Sequence, residues 1–342
     1  MSHLAYHRIL PASFLLATSL FLSACPAPAP EEAAIEVFFS QVGQDVPEAE
    51  HLDQRFCAFL DATTQAVDLA SFDIDLPCVE TSLKALHQRG VKVRVVTDSD
   101  HITPVIKALK KVGIPIVEDN RSAFMHNKFA VRDARTVWTG SFNFTENDAR
   151  KNHNNAQVIQ SQPLADNYSQ EFEEMFSDKA FGPTSPANTP HPQVTVGNTL
   201  IENYFSPEDD LPPKLRALLE KAEQDIHFLA FSFTDEELGK VLLNKAKAGV
   251  KVSGVFEKTG ASSASSQYGR LKKAKLDVKR DGNNRLLHHK VFIIDGKIVA
   301  TGSYNFSRNA ARSNDENMVF IHDPEVATQY LAEYERIAAA GS

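Results

Sequence analysis

Two histidine–lysine pairs carry the most chemical potential in this sequence. His126-Asn127-Lys128 is followed by Asp133 and by Gly140-Ser141-Phe142-Asn143. His288-His289-Lys290 is followed by Asp295 and by Gly302-Ser303-Tyr304-Asn305, every corresponding residue lying 162 positions further on. On a β-strand, residues two apart share a face, so each His would project together with its Lys. The Gly-Ser pairs read as tight turns after strands, where a backbone N–H or a hydroxyl can approach an anion, and Asn143 and Asn305 add an amide donor beside each. One such cluster is a weak anion site. Two clusters brought together offer two imidazoles, two ammonium groups and two amides. That set suits phosphodiester cleavage: one His attacks phosphorus, the other protonates the leaving oxygen, and the lysines and asparagines stabilise charge on the non-bridging oxygens.

The elements that must position these residues are themselves duplicated. Ile35-Glu36 with Phe39-Ser40 recurs as Ile201-Glu202 with Phe205-Ser206. Leu69-Ala70 and Asp75 recur as Leu229-Ala230 and Asp235, and Gly90-Val91-Lys92-Val93 as Gly249-Val250-Lys251-Val252. The chain is an internal duplication, with halves at 35–180 and 198–342. Between them, 181–197 holds Pro183, Pro186, Pro190 and Pro192 with little apolar periodicity, and reads as a linker. Within the halves, Val67–Phe72, Val91–Thr97, Lys128–Val131 and Val291–Ile294 read as strands. Val79–Gln88, His101–Val112, Leu164–Phe176 and Pro324–Ile337 read as helices. The expected class is α/β (α+β), a sandwich with a mixed sheet, twice over.

The pattern His-x-Lys-x4-Asp-x6-Gly-Ser-x-Asn, present twice in register, resembles the phospholipase D superfamily over essentially the whole mature chain. The resemblance implies two α-β-α sandwich halves related by a pseudo-two-fold axis, one shared active site completed within a single chain, a covalent phosphohistidine intermediate and no metal. It also implies a carboxylate that follows the motif His by 28 residues and orients an imidazole in the opposite half. Here that position is Glu316 after His288 but Asn154 after His126. Glu316 is therefore expected against His126, favouring it as nucleophile, and Asn154 against His288, favouring that ring as general acid because no negative charge is added there. Asp133 and Asp295 are expected to hold turns rather than protons, with Ser141 and Ser303 supporting the site. His288-His289 lacks the spaced Asp, Glu or Cys partners of a metal centre, so no metal and no cofactor are expected. His289 is expected on the opposite strand face, and Trp138 in packing.

Composition narrows the substrate only partly. With 36 Lys and Arg against 44 Asp and Glu, the net charge of −8 excludes a chain that attracts polyanions as a whole. Local charge differs: from Arg270 to Lys290 eight basic residues face Asp277 and Asp281, just after the flexible stretch Gly260–Ser266. This segment is either a solvated helix face or an anion-attracting border of the cleft. At the N-terminus, His3, His7 and Arg8 precede an apolar run from Ile9 to Leu22 and then Leu22-Ser23-Ala24-Cys25. Residues 1–24 read as a secretory signal of the bacterial lipoprotein kind, Cys25 as the lipidated residue, and 25–34, rich in Pro and Ala, as a tether. Export to the periplasmic or extracellular face would permit a Cys57–Cys78 disulfide, the alternative being two small buried hydrophobes. Three functions follow. The first is a phospholipase D-type hydrolase working at a phospholipid membrane surface. The second is a metal-independent endonuclease with nucleic acid as substrate, and the third a non-catalytic anion-binding lipoprotein.

Overall fold

The computed structural model describes residues 1–2 and 34–342. The expected lipidation site Cys25, the expected tether before residue 34 and, beyond Ser2, the expected signal segment thus lie outside the described residues. The first half contributes β1 (Ile35–Phe39), β2 (Ala66–Ser71), β3 (Lys92–Thr97), β4 (Ile116–Glu118), β5 (Lys128–Arg132), β6 (Thr136–Gly140) and β7 (Asn155–Gln160). The second contributes β8 (Gln193–Val196), β9 (Thr199–Ser206), β10 (Asp225–Ala230), β11 (Lys251–Phe256), β12 (Asp277–Arg280), β13 (Lys290–Ile294), β14 (Ile298–Gly302) and β15 (Glu316–His322). The first sheet runs β1-β7-β6-β5-β2-β3-β4, and the second β12-β11-β10-β13-β14-β15-β9-β8. In each, one wing of three strands is parallel and the remainder antiparallel. The two orders are mirror readings of one topology, with β8 added at the edge of the second. The mixed, duplicated sandwich inferred from the repeats is the fold observed.

Alternation along the strands sorts side chains between two kinds of core. Phe129 and Val131 on β5, with Val291 and Ile293 on β13, face a central layer that both halves share. That layer also takes Leu164, Tyr168 and Phe172 from the helix Gln162–Glu173, and Val326, Tyr330 and Ile337 from the helix Pro324–Ala340. Each of these helices starts on a side-chain cap, Ser161 or Asp323, with proline in the first turn, where its missing N–H is harmless. Ala130 and Trp138 point the other way, into an outer core beneath the helices Leu52–Asp61, Pro77–Gln88 and Pro104–Lys111. Trp138 is fully buried there against Phe56 and Phe59, which makes it packing. Because the central layer belongs to both halves, the chain from residue 34 onward is one compact unit.

One local reading changes, and one open alternative is decided. Residues 181–197, read as a linker, contain β8, which pairs with β9 through a turn at Gly197, whose φ of 60° suits glycine. The alternation Val194-Thr195-Val196, with both valines buried, was outweighed in the sequence by the nearby prolines. Cys57 and Cys78 form a disulfide joining the helix Leu52–Asp61 to the first turn of Pro77–Gln88. With a sequence separation of 21 residues, such a crosslink contributes about 3 kcal/mol by restricting the unfolded chain.

The motif glycines are dictated by close approach. Gly140 ends β6 with φ 146°, and a Cβ there would strike the Asn155 carbonyl oxygen and lie 2.8 Å from the Ala156 Cα. Gly140→Ala should therefore lower the unfolding free energy by on the order of 3 kcal/mol, read from urea denaturation. A value below about 0.5 kcal/mol would mean that β6 and β7 can separate at no cost.

Candidate active site

The two motif segments are held by the opposite half. Met125 forms an isolated parallel bridge with Asp315, and Leu287 one with His153. The His126 N–H donates to the Asp315 carbonyl at 3.0 Å, and the His288 N–H to the His153 carbonyl at 2.9 Å. The strands themselves begin only at Lys128 and Lys290, so each His stands on this cross-half bridge rather than on a regular strand. Each Lys folds back on the bridge: Lys128 Nζ donates to the His126 carbonyl at 2.7 Å and Lys290 Nζ to the His288 carbonyl at 2.6 Å. Phe72 and Phe231 lie under these ammonium groups, 5.2 Å and 4.7 Å from Nζ to ring centre, and against the two imidazoles. Sequence reading missed both phenylalanines; each stands at the end of a parallel strand next to the motif strand.

Glu316 Oε2 accepts from His126 Nδ1 at 2.8 Å and from Ser303 Oγ at 2.7 Å, and Asn314 Nδ2 donates to Oε1 at 3.2 Å. Opposite, Asn154 Oδ1 accepts from His288 Nδ1 at 2.9 Å and from Ser141 Oγ at 2.9 Å. With Nδ1 donating in both rings, each neutral imidazole keeps its lone pair on Nε2, and neither Nε2 bonds to any other described residue. The amide oxygens of Asn143 and Asn305, at pseudo-equivalent positions, are both buried without a hydrogen-bond partner among the described residues. Asp133 and Asp295 are elsewhere: each accepts from three successive backbone N–H groups, at Thr64–Ala66 and at Glu223–Asp225. They pin the start of β2 and β10. His289 points away from the site and bonds to Asn155 and Glu333.

One expectation needs correcting. His288 was expected to face an amide and no negative charge, yet Asp148 Oδ2 lies 3.4 Å from its Nδ1. Position 148 corresponds to Ala310 in the second half. A comparison of motif residues alone passes over it, whereas an aspartate facing an alanine across the repeat was the available signal.

Burial sets the protonation states. Desolvation pushes the His126 imidazole down to about 4 against the opposing pull of Glu316. Burial, then the charges of Lys290 and Lys128, push His288 well below its ordinary value. Lys128 is lowered by burial to about 8, and Lys290 falls through burial and the repulsion of Lys128. The site is thus a closed cationic pair flanked by two neutral imidazoles, a setting that an anion of one negative charge would relieve. Among the described residues, no group of three or more His, Cys, Asp or Glu side chains is arranged to hold a metal ion.

Residues 56–176 and 215–338 match the family model described as cardiolipin synthase, PLD-like domain. The chain belongs to the phospholipase D-like family. It is 33% identical over 142 residues to a phospholipase D of Rickettsia typhi, covering 42% of this chain and 70% of that one. It is 30% identical over 156 residues to a mitochondrial cardiolipin hydrolase of Xenopus tropicalis, covering 44% and 74%. These relatives bear out the expectation of a phosphoric diester hydrolase. The phosphatidylserine synthase of Haemophilus influenzae Rd KW20 shares the fold, with a TM-score of 0.67 over 89% of this chain and 86% of that one at 12% identity.

In a histidine-selective NMR titration, His126 should remain neutral at pH 6 and protonate near 4. Glu316→Gln should lower that value further, because the carboxylate is what favours the imidazolium. The unfolded imidazole takes up its proton near the ordinary value, so the unfolding free energy should fall as the pH drops from about 6.5 towards 4. A His126 resonance titrating at or above pH 6.5 would contradict the buried, neutral ring.

Proposed function

We propose that the protein hydrolyses a phospholipid phosphodiester through a phosphohistidine on His126, with His288 as proton carrier. The observation that supports this chemistry is the meeting of two His–Lys pairs from the halves 35–180 and 198–342, with Glu316 bound directly to one ring and Asn154 to the other. His126 Nε2 attacks phosphorus as the ester P–O bond breaks, and its electron pair leaves on the alcohol oxygen, which takes the proton of His288 Nε2. Water then attacks phosphorus and gives a proton to His288 Nε2, and the P–N electron pair returns to His126. Lys128, Lys290, Asn143 and Asn305 hold the non-bridging oxygens. His288 is neutral in the free site because of burial and the lysine charges. A phosphodiester anion offsets those charges, so the ring gains its proton as substrate binds.

The lipid reading is supported by two side chains at the mouth. Phe124 and Leu286 occupy pseudo-equivalent positions two residues before the motif histidines and are 39% and 37% exposed. Besides Met1 and Val112, they are the large apolar side chains left exposed among the described residues. Phe124 packs on Phe72, and Leu286 borders a cavity of about 500 Å³ lined from both halves by Asn147, Asn152 and Asn283. Two apolar side chains beside a polar cavity suit a bilayer surface with its headgroups. The relatives named phospholipase D and cardiolipin hydrolase point the same way. Lipidation at Cys25 would keep the enzyme at the envelope membrane facing an oxidising compartment, where the Cys57–Cys78 bridge is stable. No helix among the described residues is long and apolar enough to cross a membrane.

A nuclease reading is favoured by one feature, a groove of about 990 Å³ on the second half that Arg270, Lys272, Lys273, Arg280 and Arg308 line. Protein lacking residues 1–30, assayed with EDTA, should release headgroup from mixed anionic phospholipid vesicles and leave single- and double-stranded DNA intact. DNA cleavage without lipid turnover would reverse the order of the two readings. Phe124→Ser with Leu286→Ser should reduce turnover on vesicles about thirtyfold more than turnover of soluble bis(p-nitrophenyl) phosphate, the loss expected from removing two apolar anchors of roughly 1 kcal/mol each. Equal losses on both substrates would remove the rim from lipid recognition. In the full chain, Cys25→Ser should shift the protein from the membrane pellet to the supernatant or leave an unprocessed precursor. Wild-type protein already in the supernatant would refute the anchor.

A further inference from the structure

The surroundings of the two imidazoles can be superposed position by position, and their difference is a displacement rather than a loss. In the second half, the carboxylate stands at Glu316 and position 310 is alanine; in the first, position 154 is an amide and the carboxylate stands at Asp148. Asn152 and Asn314 are pseudo-equivalent. Asn314 Nδ2 donates to Glu316 Oε1 at 3.2 Å, and Asn152 Nδ2 donates not to position 154 but to Asp148 Oδ1 at 2.6 Å. The same supporting amide therefore serves the carboxylate in each half, wherever that carboxylate is attached. Asp148 is 3% exposed, and its Oδ2, held at 2.9 Å by the Asn143 N–H, lies 3.4 Å from His288 Nδ1.

We infer that Asp148 is the relocated carboxylate of the first half, a positioning residue that orients His288 and supports its protonated form during the reaction. His288 Nδ1–H bonds to Asn154 Oδ1 at 2.9 Å, with Asp148 Oδ2 beside it at 3.4 Å, an arrangement in which the amide sets the tautomer and the carboxylate supplies the field. Lys290, Lys128 and, once protonated, His126 and His289 all oppose a proton on His288. Asp148 is the carboxylate at its Nδ1. Its negative charge also favours the ammonium form of both Lys128 and Lys290, as that of Glu316 does. The role is more than holding a turn: in the second half the equivalent helix, Arg308–Arg312, is capped by Ser307 and forms with alanine at position 310.

This inference rests on the phosphodiesterase chemistry above but not on the lipid as substrate, so its test uses soluble aryl phosphodiesters. Asp148→Asn and the exchange Asp148→Ala with Asn154→Glu, which copies the second half into the first, are compared with wild type on bis(p-nitrophenyl) phosphate and on diphenyl phosphate, whose leaving group needs more protonation. Asp148→Asn should slow diphenyl phosphate about tenfold more than the nitrophenyl ester and move the pH profile of kcat, and the exchange should restore both to within about threefold. The His288 Nδ1–H resonance should shift in Asp148→Asn while that of His126 stays in place. Equal slowing of both esters, no recovery in the exchange and an unmoved His288 resonance would overturn the role. If wild type cleaves neither ester, the phosphodiesterase reading fails, and the His288 resonance still decides whether Asp148 acts on that ring. An exchange variant that does not fold leaves the same decision to the single variant's leaving-group ratio and resonance.

Discussion

Two backbone bridges, one in each direction across the pseudo-two-fold axis, are the constraint on which the site depends. The Asp315 carbonyl takes the His126 N–H, and the His153 carbonyl takes the His288 N–H. Each bridge sets the register between a motif histidine and the residue that follows its anchor, so Glu316 meets His126 and Asn154 meets His288 without any adjustable loop between them. Neither half can form its own site. The Nδ1 acceptor for each imidazole arrives on the other half, and a shift of one residue in the bridge would carry the carboxylate to the opposite face. Asp315 shows how firmly the bridge is seated: it is buried, paired with Arg121 and bonded to the Gly182 N–H at 2.5 Å, which ties the segment between the halves to the back of the site.

Burying Lys128 and Lys290 completely is unfavourable unless the ammonium groups are compensated. The compensation comes from several weak sources. Each Nζ bonds to a backbone carbonyl, lies over a phenylalanine ring and feels both Glu316 and Asp148. None of these is a direct ion pair. Each ammonium group is therefore compensated only in part by the protein, which leaves it open to an anion. A polar seam behind the site supports this arrangement. Asn317 donates to Asn127 at 2.8 Å, and Asn155 bonds to His289 at 2.7 Å, with Glu171 and Glu333 beyond them. Such networks hold position only when their members are satisfied, and here each half supplies part of the other's partners.

Much of this was legible in the residues because duplication turns one weak pattern into two independent instances of it. The motif strands and the helices that follow them could be written down from pattern and spacing, and the position of Glu316 relative to His288 followed from the resemblance to the phospholipase D superfamily. What spacing could not supply is contact across the axis. Asp148 stands just past the first motif but meets the imidazole of the second, and Phe72 and Phe231, far from the motifs in sequence, reach the imidazole of their own half only through strand pairing. The strand Gln193–Val196 was obscured for a different reason: prolines on its N-terminal side suggested a linker, although at a sheet edge the proline ring removes no ladder bond that is needed. The reading of each His on a regular strand was also too simple, since the bridge, not the strand, holds it.

Fusion of the two halves in one chain is what permits the asymmetry between the histidines. In a symmetric pair of identical subunits, any substitution appears on both sides of the axis, and both imidazoles keep the same surroundings. In a fused chain each side changes separately. Position 148 can hold a carboxylate while 310 holds alanine, and 154 can hold an amide while 316 holds glutamate. Each half thus places one of these carboxylates, Asp148 or Glu316, where it acts on both lysines. What differs is distance and directness: 2.8 Å to Glu316 for His126, against 2.9 Å to an amide with the carboxylate at 3.4 Å for His288. Two rings with the same fold around them and unequal fields can differ in basicity. A mechanism in which one ring bonds to phosphorus and the other exchanges a proton is served by that inequality.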